Sequence, residues 1–511
     1  MRNRSPFFAL FIAVAAGWSH VALAQTAAAR FDVRLGDGIT PMYTSGRMFV
    51  VLASGGRREP VSSLGDTGVD AAPCIARDVS LLKAGEPVVL DHSCITFPQS
   101  TLGAIPPGEY TVQAVFRCNP DLRTTDAPGT LLSEPQKAKF DPTSAEPIRV
   151  TLTKLLPDET LPPEGELLKF VKIESKLLSE FWKRPIYLRA GVILPKGFAD
   201  ERDRKYPLWV NIGGYGQRFR SAKRMIESPF SPLRAAWLAD DAPQMVLLQL
   251  DGAGPLGDPY QVNSANHGPY GDAIVQELIP FVEEKFRCIG EPRARFLAGH
   301  STGGWVSLAL QVFYPDFFNG CWVGAPDGVD FRGFQLINIY DDKNAYVNRF
   351  GFERPAKRTI AGDVEYTVRH ECQMENLLGD GNSWVMSGGQ WGAWNATYGP
   401  RGSDGRPVPL WDPATGEINR AVVEHWQKYD LRLVLESNWK ELGPKLRGKL
   451  HIMVGDADDY FLNVGVGHLE RFLSKADPPY EGWIKFGRNE GHGFSPLTDL
   501  EMMRQMAERA E

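Results

Sequence analysis

The sequence predicts an α/β fold, with a mostly parallel sheet and helices on both faces, preceded by a small β-sandwich-like domain. From about residue 166, short apolar runs alternate with runs of helical spacing, which is the pattern of a parallel sheet covered by helices. Residues 25–152 instead show short β-branched and aromatic runs with no helix between them. The length of 511 residues also indicates two domains, since one core rarely grows beyond about 300 residues.

The overall composition is that of a globular protein. Hydrophobic residues make up 43% and charged residues 23% of the chain, so extensive disorder is not expected. The formal net charge of −6 is mild, and no run of Lys and Arg with interleaved aromatic residues occurs. Nucleic acid is therefore not an expected partner.

The first 24 residues are typical of a secretory signal peptide. Arg2 and Arg4 give a positive start, residues 7–17 are apolar, and Ala22-Leu23-Ala24 is a small-x-small cleavage site. A retained membrane anchor is the alternative, but the apolar stretch is short for a span of about 20 residues. We expect export to the periplasm or the extracellular space, with no stable membrane anchor.

The six cysteines do not indicate a metal site. They form no CxxC pair and no zinc spacing with histidine, so we expect no metal ligation. In an oxidising compartment up to three disulfides are possible, and buried free thiols are the alternative. The cysteines are Cys74, Cys94, Cys118, Cys288, Cys321 and Cys372.

In the N-terminal domain, residues 47–53 and 108–116 are the clearest strands. The proline-rich segment 153–165 is expected to be a linker. The domain that follows, residues 166–511, contains the alternating pattern. Its expected strands are 206–212, 244–250, 294–298, 449–454 and 483–486, and its expected helices are 272–286, 305–313 and a terminal helix from residue 497.

Residues from about 330 to 444 form a long insertion with less regular patterning. Such an insertion after a sheet strand is commonly a lid or a substrate wall, and a packed subdomain is the alternative. It is rich in tryptophan, with Trp384, Trp391, Trp394, Trp411, Trp426 and Trp439.

Gly299-His-Ser-Thr-Gly303 is the strongest catalytic motif. A serine hydroxyl is a weak nucleophile and must be held where a base can take its proton. A sharp strand-to-helix turn holds it there but brings the backbone close on both sides of Ser301, which explains the glycine at each flanking position. The motif lies between the strand 294–298 and the helix 305–313, as such a turn requires. A glycine-rich turn with a capping serine is the alternative.

An acyl-transfer site also needs N–H donors for the oxyanion. The backbone N–H of Thr302, at the start of the helix, is one candidate. The second is expected from the loop Gly213-Gly214-Tyr215-Gly216, and we assign it to Tyr215, the residue after the second glycine of the loop. A tight turn with no catalytic role is the alternative for this loop.

The acid and the base are expected on loops after late strands. Asp456, Asp458 and Asp459 all follow the strand 449–454, and we favour Asp458 because it lies three residues past Gly455. The other two carboxylates would then bond turn amides, and Asp459 is the first alternative acid. His492, on the loop after the strand 483–486, is the expected base. His300 is adjacent to the serine and is not expected to reach back to it.

The polar loop of residues 263–272 is open to two interpretations. It is placed to line a substrate pocket at the same sheet edge. It is equally consistent with the start of a helix, with Asp272 as the N-cap.

These residues resemble the esterase D-like branch of the α/β hydrolases, which includes S-formylglutathione hydrolases, enterochelin esterases, feruloyl esterases and mycolyltransferases. The resemblance covers roughly residues 185–511. It rests on Asn266-His-Gly-Pro-Tyr270, Glu277-Leu-Ile-Pro280, Arg295-Phe-Leu-Ala-Gly-His-Ser-Thr-Gly-Gly304, Gly455-Asp-Ala-Asp-Asp-Tyr-Phe-Leu462 and Gly491-His492-Gly493.

The resemblance implies an α/β-hydrolase fold and serine esterase activity without a cofactor, with Ser301, Asp458 and His492 as the triad. Two features depart from the family. Ile212-Gly213 stands where many members carry His-Gly, which bears on the second oxyanion donor. Simpler members lack the long insertion and the preceding β domain, so the resemblance does not extend to the substrate.

The expected function is cleavage of small-molecule or oligomeric carboxylic esters through an acyl-enzyme intermediate on Ser301, without metal or cofactor. An amidase or peptidase on the same triad is the first alternative, because this chemistry cleaves both bonds. A non-catalytic binding protein on the same scaffold is the second. The intact serine, acid and histidine argue against the latter.

Overall fold

The computed structural model describes residues 28–55, 58–68 and 70–511. The predicted signal peptide, residues 1–24, lies outside this part of the chain. Within the described residues, no helix is both long and apolar enough to span a bilayer.

Nine strands form the N-terminal domain in one hydrogen-bonded sheet, in the order β4-β1-β9-β7-β6-β2-β3-β5, with β8 paired to β6. All pairs are antiparallel except β1 with β9. The strands are β1 Phe31–Leu35, β2 Gly46–Ala53, β3 Cys74–Val79, β4 Val88–Leu90, β5 Ile95–Phe97, β6 Gly108–Arg117, β7 Leu131–Ser133, β8 Gln136–Phe140 and β9 Ile148–Leu155.

This single sheet reaches the layered packing of a sandwich by curling around its own core. The long strand β6 pairs with β2 along one side and with β7 and β8 in succession along the other. Phe31 of β1 stacks on Phe140 of β8, with 6.1 Å between the ring centroids, although the two strands are not paired. The apolar faces of the curled sheet therefore meet across one core.

The segment after β9 connects the two domains in an extended conformation. Because β9 continues to Leu155, the stretch without regular structure begins at residue 156 and not at 153. Glu159 in this stretch forms ion pairs with Arg218 at 2.9 Å and with Arg189 at 3.3 Å. The connection is thus bound to the following domain.

The second domain is built on an eight-stranded sheet in the order β10-β11-β13-β12-β16-β17-β20-β21. The six strands from β13 to β21 are mutually parallel, and β10 and β11 are antiparallel additions at one edge. The strands of the domain are β10 Leu168–Glu174, β11 Tyr187–Ile193, β12 Leu208–Ile212, β13 Val246–Leu250, β14 Asn263–Ser264, β15 Gly268–Pro269, β16 Arg295–His300, β17 Cys321–Gly324, β18 Pro355–Arg358, β19 Val364–Thr367, β20 Leu450–Gly455 and β21 Trp483–Gly487.

Helices cover both faces of this sheet, so the central strands β13, β17 and β20 are buried along their whole length. The arrangement confirms the predicted α/β-hydrolase fold. The α-helices are α1 Lys176–Trp182, α2 Ser221–Glu227, α3 Pro232–Trp237, α4 Tyr270–Ala273, α5 Ile279–Lys285, α6 Thr302–Phe313, α7 Val368–Leu378, α8 Gln390–Tyr398, α9 Arg420–Trp426, α10 Leu431–Leu446, α11 Leu462–Leu473 and α12 Asp499–Ala510. Short 3₁₀ turns lie at Pro60–Ser63, Leu102–Ala104, Pro292–Ala294, Phe331–Gly333, Asp380–Asn382, Trp384–Met386 and Gln427–Tyr429.

The helix predicted for residues 272–286 starts earlier and is interrupted. It begins at Tyr270, and a π-helical turn at Ile274–Leu278 separates α4 from α5. Pro280 has no N–H to donate to the preceding turn, which favours such a local widening. Asp272 is therefore not the N-cap. It lies in the first turn, where its carboxylate accepts a hydrogen bond from the Tyr314 hydroxyl at 2.8 Å.

The insertion after β17 is a packed subdomain with regular structure of its own. It contains the β18–β19 hairpin, α7, α8, α9 and most of α10. Four of its tryptophans form one aromatic cluster, in which Trp384 stacks on Trp411 at 4.8 Å and Trp391 meets both Trp394 and Trp411 edge-on.

The N-terminal sheet packs directly against this insertion. Phe49 of β2 shares an apolar cluster with Met374 and Leu377 of α7. Buried arginines reinforce the contact. Arg47 donates from Nε to the carbonyl oxygen of Leu377 at 2.8 Å, and Arg117 donates to two further carbonyl groups of the insertion. The two domains therefore bury polar and apolar surface against each other.

All six cysteines are free thiols in this structure, and five of them are buried. The structure therefore agrees with the second interpretation of the cysteines, as free thiols, and shows no disulfide.

Candidate active site

Ser301 lies on a strained turn between β16 and α6. Its φ of 58° and ψ of −124° are rare for a residue with a side chain, and such a conformation costs of order 1–3 kcal/mol. The surrounding backbone holds it there. The N–H of Ser301 donates to the carbonyl oxygen of Gly324 at 2.9 Å, at the end of the neighbouring strand β17.

The two glycines of the motif are required by close backbone contacts. A Cβ atom on Gly299 would overlap the carbonyl group of Gly303, and a Cβ on Gly303 would overlap the carbonyl oxygen of Ile212 at the end of β12. Any side chain at either position would push the turn away from the sheet. The glycine on each side of the His-Ser-Thr segment thus has a steric cause.

His492 and Asp458 form a hydrogen-bonded pair at the ends of β21 and β20. Nδ1 of His492 lies 2.8 Å from Oδ2 of Asp458, whose side chain is fully buried. The other carboxylate oxygen accepts the N–H groups of Tyr460 at 2.9 Å and Leu462 at 3.1 Å. The backbone of its own loop therefore fixes the carboxylate that orients the imidazole.

The three neighbouring aspartates have different partners. Oδ1 of Asp459 accepts the backbone N–H of His492 at 3.0 Å, and Oδ1 of Asp456 accepts that of Asn489 at 2.8 Å. Only Asp458 bonds to the imidazole ring. Asp456 and Asp459 hold the loop that carries the histidine.

The surroundings of His492 favour its charged form. Burial alone would lower its pKa, but the hydrogen bond to Asp458 and the charges of Asp458, Asp327 and Asp459 outweigh burial, and the net pKa is raised above 6.5. The ring of Tyr460 also lies edge-on to the imidazole, with 4.9 Å between centroids. A base with a raised pKa accepts a proton more readily, once it is neutral.

The two predicted oxyanion donors have backbone N–H groups without an internal acceptor. Within the described chain, neither Thr302 nor Tyr215 donates its backbone N–H to another group. The loop that carries Tyr215 is fixed by its neighbours. The Tyr215 hydroxyl donates to the carbonyl oxygen of Gly388 at 2.6 Å, and the N–H of Gly216 donates to Asp258 at 3.0 Å.

Asp327 is a buried carboxylate beside the nucleophile that the sequence reasoning did not identify. It follows β17, and its Oδ1 lies 3.5 Å from the Ser301 hydroxyl oxygen. The available signal was an aspartate just after the strand that neighbours the strand of Ser301. The carboxyl ends of parallel strands share one edge of the sheet, so side chains that follow them lie close together. Its Oδ2 accepts hydrogen bonds from Tyr260 at 2.7 Å, Thr302 at 2.9 Å, Trp394 at 3.1 Å and Gln390 at 3.3 Å.

His300 also has a role that the sequence did not indicate. It does not bond to Ser301, as expected, but its Nε2 lies 2.7 Å from the carbonyl oxygen of His492. Because a carbonyl only accepts, Nε2 must carry the proton. Burial lowers the pKa of His300, which favours this neutral form. His300 thus anchors the loop that carries His492.

The hydroxyl of Ser301 and the imidazole of His492 are not hydrogen-bonded to each other in the described structure. The hydroxyl instead makes the long contact with Asp327. Catalytic hydrogen bonds are often absent without substrate and form in the substrate complex.

The described residues contain no group of three or more His, Cys, Asp and Glu side chains placed to hold a metal ion.

A serine on a strained strand-to-helix turn, next to a buried Asp–His pair in this fold, defines the class of serine hydrolases. The family match is consistent with that class. Residues 259–465 match the Esterase family model, described as putative esterase. This match covers less than half of the chain; over that segment the chain is similar to the esterase D-like family, which supports its assignment as a serine esterase. The matched segment contains Ser301, Asp327 and Asp458, and it ends before His492.

A comparison with curated proteins gives no match. Among solved structures, a ferulic acid esterase is 16% identical, with 66% of this chain and 99% of that chain covered and a TM-score of 0.41. An S-formylglutathione hydrolase from Agrobacterium tumefaciens is 12% identical, with coverages of 67% and 95% and a TM-score of 0.38. Dipeptidyl peptidase 4 of Porphyromonas gingivalis is 11% identical, with coverages of 86% and 46% and a TM-score of 0.38. At these TM-scores, none of the similarities bears on the activity of this chain.

Replacement of each aspartate by asparagine should separate the three carboxylates. Asp458→Asn should lower kcat by about 10³- to 10⁴-fold, because an amide favours the wrong tautomer of His492. Asp456→Asn and Asp459→Asn should each cost less than about tenfold, because the asparagine oxygen still accepts a backbone N–H. The measurement is steady-state hydrolysis of one model ester. A larger loss of kcat in Asp459→Asn than in Asp458→Asn would show that Asp458 is not the acid of the triad.

The raised pKa of His492 sets the direction of the pH dependence. Only neutral imidazole accepts the serine proton, so activity should be lost as the pH falls through this pKa. The profile of kcat/KM should show a single-proton rise with its midpoint above 6.5. Unfolding measured across the same buffers controls for acid denaturation. Full activity at about pH 4, well below the usual range of a histidine pKa, would show that another group takes the proton.

Proposed function

We propose that this protein is an exported hydrolase that cleaves carboxylic esters through an acyl-enzyme intermediate on Ser301. The observation that carries the proposal is the Asp458–His492 pair, with its 2.8 Å bond, at the same sheet edge as the strained Ser301. Asp458 fixes the tautomer in which Nδ1 carries the proton and leaves Nε2 free to accept one.

In the acylation step, Oγ of Ser301 forms a bond to the ester carbonyl carbon while its proton moves to Nε2 of His492. The carbonyl oxygen becomes an oxyanion, and the backbone N–H groups of Thr302 and Tyr215 are the proposed donors to it. Their lack of internal acceptors supports this role. The imidazolium then protonates the leaving alkoxide as the C–O bond breaks.

Deacylation reverses the roles with water as the nucleophile. Water loses a proton to His492 and attacks the acyl group, and the imidazolium returns that proton to Oγ of Ser301 as the acid leaves. The substrate class proposed is a small-molecule or oligomeric ester.

Export is proposed from residues 1–24 alone, on the positive start, the apolar stretch and the small-x-small site that ends at Ala24. N-terminal sequencing of the protein purified from its producing cells tests this. A mature chain that begins near Gln25 is the expected result, and a chain that still begins at Met1 would contradict cleavage of a signal peptide after Ala24.

Ser301→Ala should lower ester turnover by about 10⁴-fold or more without loss of the fold, because it removes the attacking atom. A fluorophosphonate probe should label the wild-type protein and not the variant. Ser307→Ala is the matched control, since Ser307 lies on the same helix with its hydroxyl bonded to the carbonyl oxygen of Gly303. It should keep both labelling and turnover. More than about a tenth of wild-type turnover in folded Ser301→Ala would overturn the assignment.

A further inference from the structure

Asp327 is in contact with the nucleophile on two sides. Its Oδ1 lies 3.5 Å from the Ser301 hydroxyl oxygen, and its backbone N–H donates to the carbonyl oxygen of Ser301 at 3.4 Å. No other group in the described chain donates to Oδ1. This oxygen is therefore available to the Ser301 hydroxyl.

The other carboxylate oxygen is held by four donors, two from the catalytic core and two from the insertion. Tyr260 and Thr302 donate hydroxyl groups from the core, and Gln390 and Trp394 donate N–H groups from α8. An indole N–H and an amide NH₂ only donate, so Oδ2 must accept. Burial raises the pKa of Asp327 above its ordinary value, and the hydrogen bonds from Tyr260, Thr302 and Trp394 offset only part of that rise.

The charge of Asp327 also acts on His492. It raises the pKa of the imidazole together with Asp458 and Asp459. The charge of His492 in turn lowers the pKa of Asp327. The other titratable groups coupled to Asp327 are Tyr215, Tyr260, Tyr398 and Asp258.

These four groups do not act on the pKa of His492 as Asp327 does. Burial raises the pKa of each of the three tyrosines well above 10, so they stay neutral. Burial raises the pKa of Asp258 to about 7, but Asp258 is not among the charges that act most strongly on His492. The carboxyl group that contacts Ser301, and whose charge also raises the pKa of His492, is that of Asp327.

We propose that Asp327 is a catalytic residue whose carboxylate accepts the Ser301 hydroxyl in the free enzyme and stabilises the positive charge that His492 acquires during acylation. This rests on the proposed function, in which the proton moves from Oγ of Ser301 to Nε2 of His492. Asp327 gains and loses no proton in the step. Its contribution is electrostatic and adds to those of Asp458 and Asp459.

Through Asp327, the insertion would also affect catalysis. Because α8 supplies two of the four donors to Oδ2, the insertion helps to fix the carboxylate that faces the nucleophile. An α/β hydrolase without this helix would lack both donors.

The test compares Asp327→Asn with Asp430→Asn. Asp430 is also a fully buried carboxylate with several donors, namely the N–H groups of Phe331 and Leu433 and the Tyr340 hydroxyl. It contacts neither Ser301 nor His492 and so controls for the loss of a buried charge. The readouts are kcat and KM on one ester, and the titration of His492 followed by NMR with ring-labelled histidine.

Asp327→Asn should lower kcat by about 10- to 100-fold with little change in KM, and it should shift the His492 titration to lower pH. Asp430→Asn should leave that titration unchanged. An unchanged titration in Asp327→Asn, with kcat no lower than in the control, would reduce Asp327 to a packing role. The proposed function would survive that result, since it depends on the separate Ser301→Ala experiment.

Gln390→Leu provides a second route should Asp327→Asn fail to fold. Gln390 is only half-buried, and its loss removes one donor from Oδ2 while the carboxylate remains. Loss of this donor should raise the pKa of Asp327 further and so weaken its negative charge, and the His492 titration should move in the same direction by a smaller amount. No movement in this variant would likewise overturn the proposal.

Discussion

The positive φ of Ser301 is the constraint on which the arrangement of the site depends. It is held by backbone contacts, because Gly299 and Gly303 lie too close to neighbouring carbonyl groups to accept a Cβ, and the N–H of Ser301 is bonded to the end of β17. The turn points the serine out of the sheet and starts α6 at Thr302, whose backbone N–H is left without an internal acceptor. The nucleophile and one proposed oxyanion donor are therefore placed by the same strain.

The other groups reach this turn through a series of buried contacts that begins in the N-terminal domain. Arg47 and Arg117 bind carbonyl groups at the C-terminal end of α7. Glu375 of α7 accepts the N–H groups of Trp391 and Gly392 and so caps α8. This helix in turn donates to Asp327 beside the nucleophile. The N-terminal domain and the insertion are thus both connected physically to Ser301.

The sequence predicted the parts of the site that local rules determine. The glycine spacing predicted the turn at Ser301, and the apolar runs predicted the central strands to within a few residues. It did not predict the roles of Asp327 and His300, because these depend on which strand ends are adjacent in space. The curled N-terminal sheet and the packing of the tryptophans depend likewise on contacts between distant residues. The bond from His492 to Asp458, and not to Asp459, is a property of the folded loop.

The most direct test of the catalytic assignment is mass spectrometry of the protein quenched during turnover of p-nitrophenyl acetate. We predict an acetyl adduct on the peptide that contains Ser301, formed together with a burst of nitrophenol and removed by hydroxylamine. The adduct should be absent from the same peptide of the Ser301→Ala variant. Steady turnover with no adduct at Ser301, or with an adduct at another residue that forms and decays at the rate of turnover, would contradict the account.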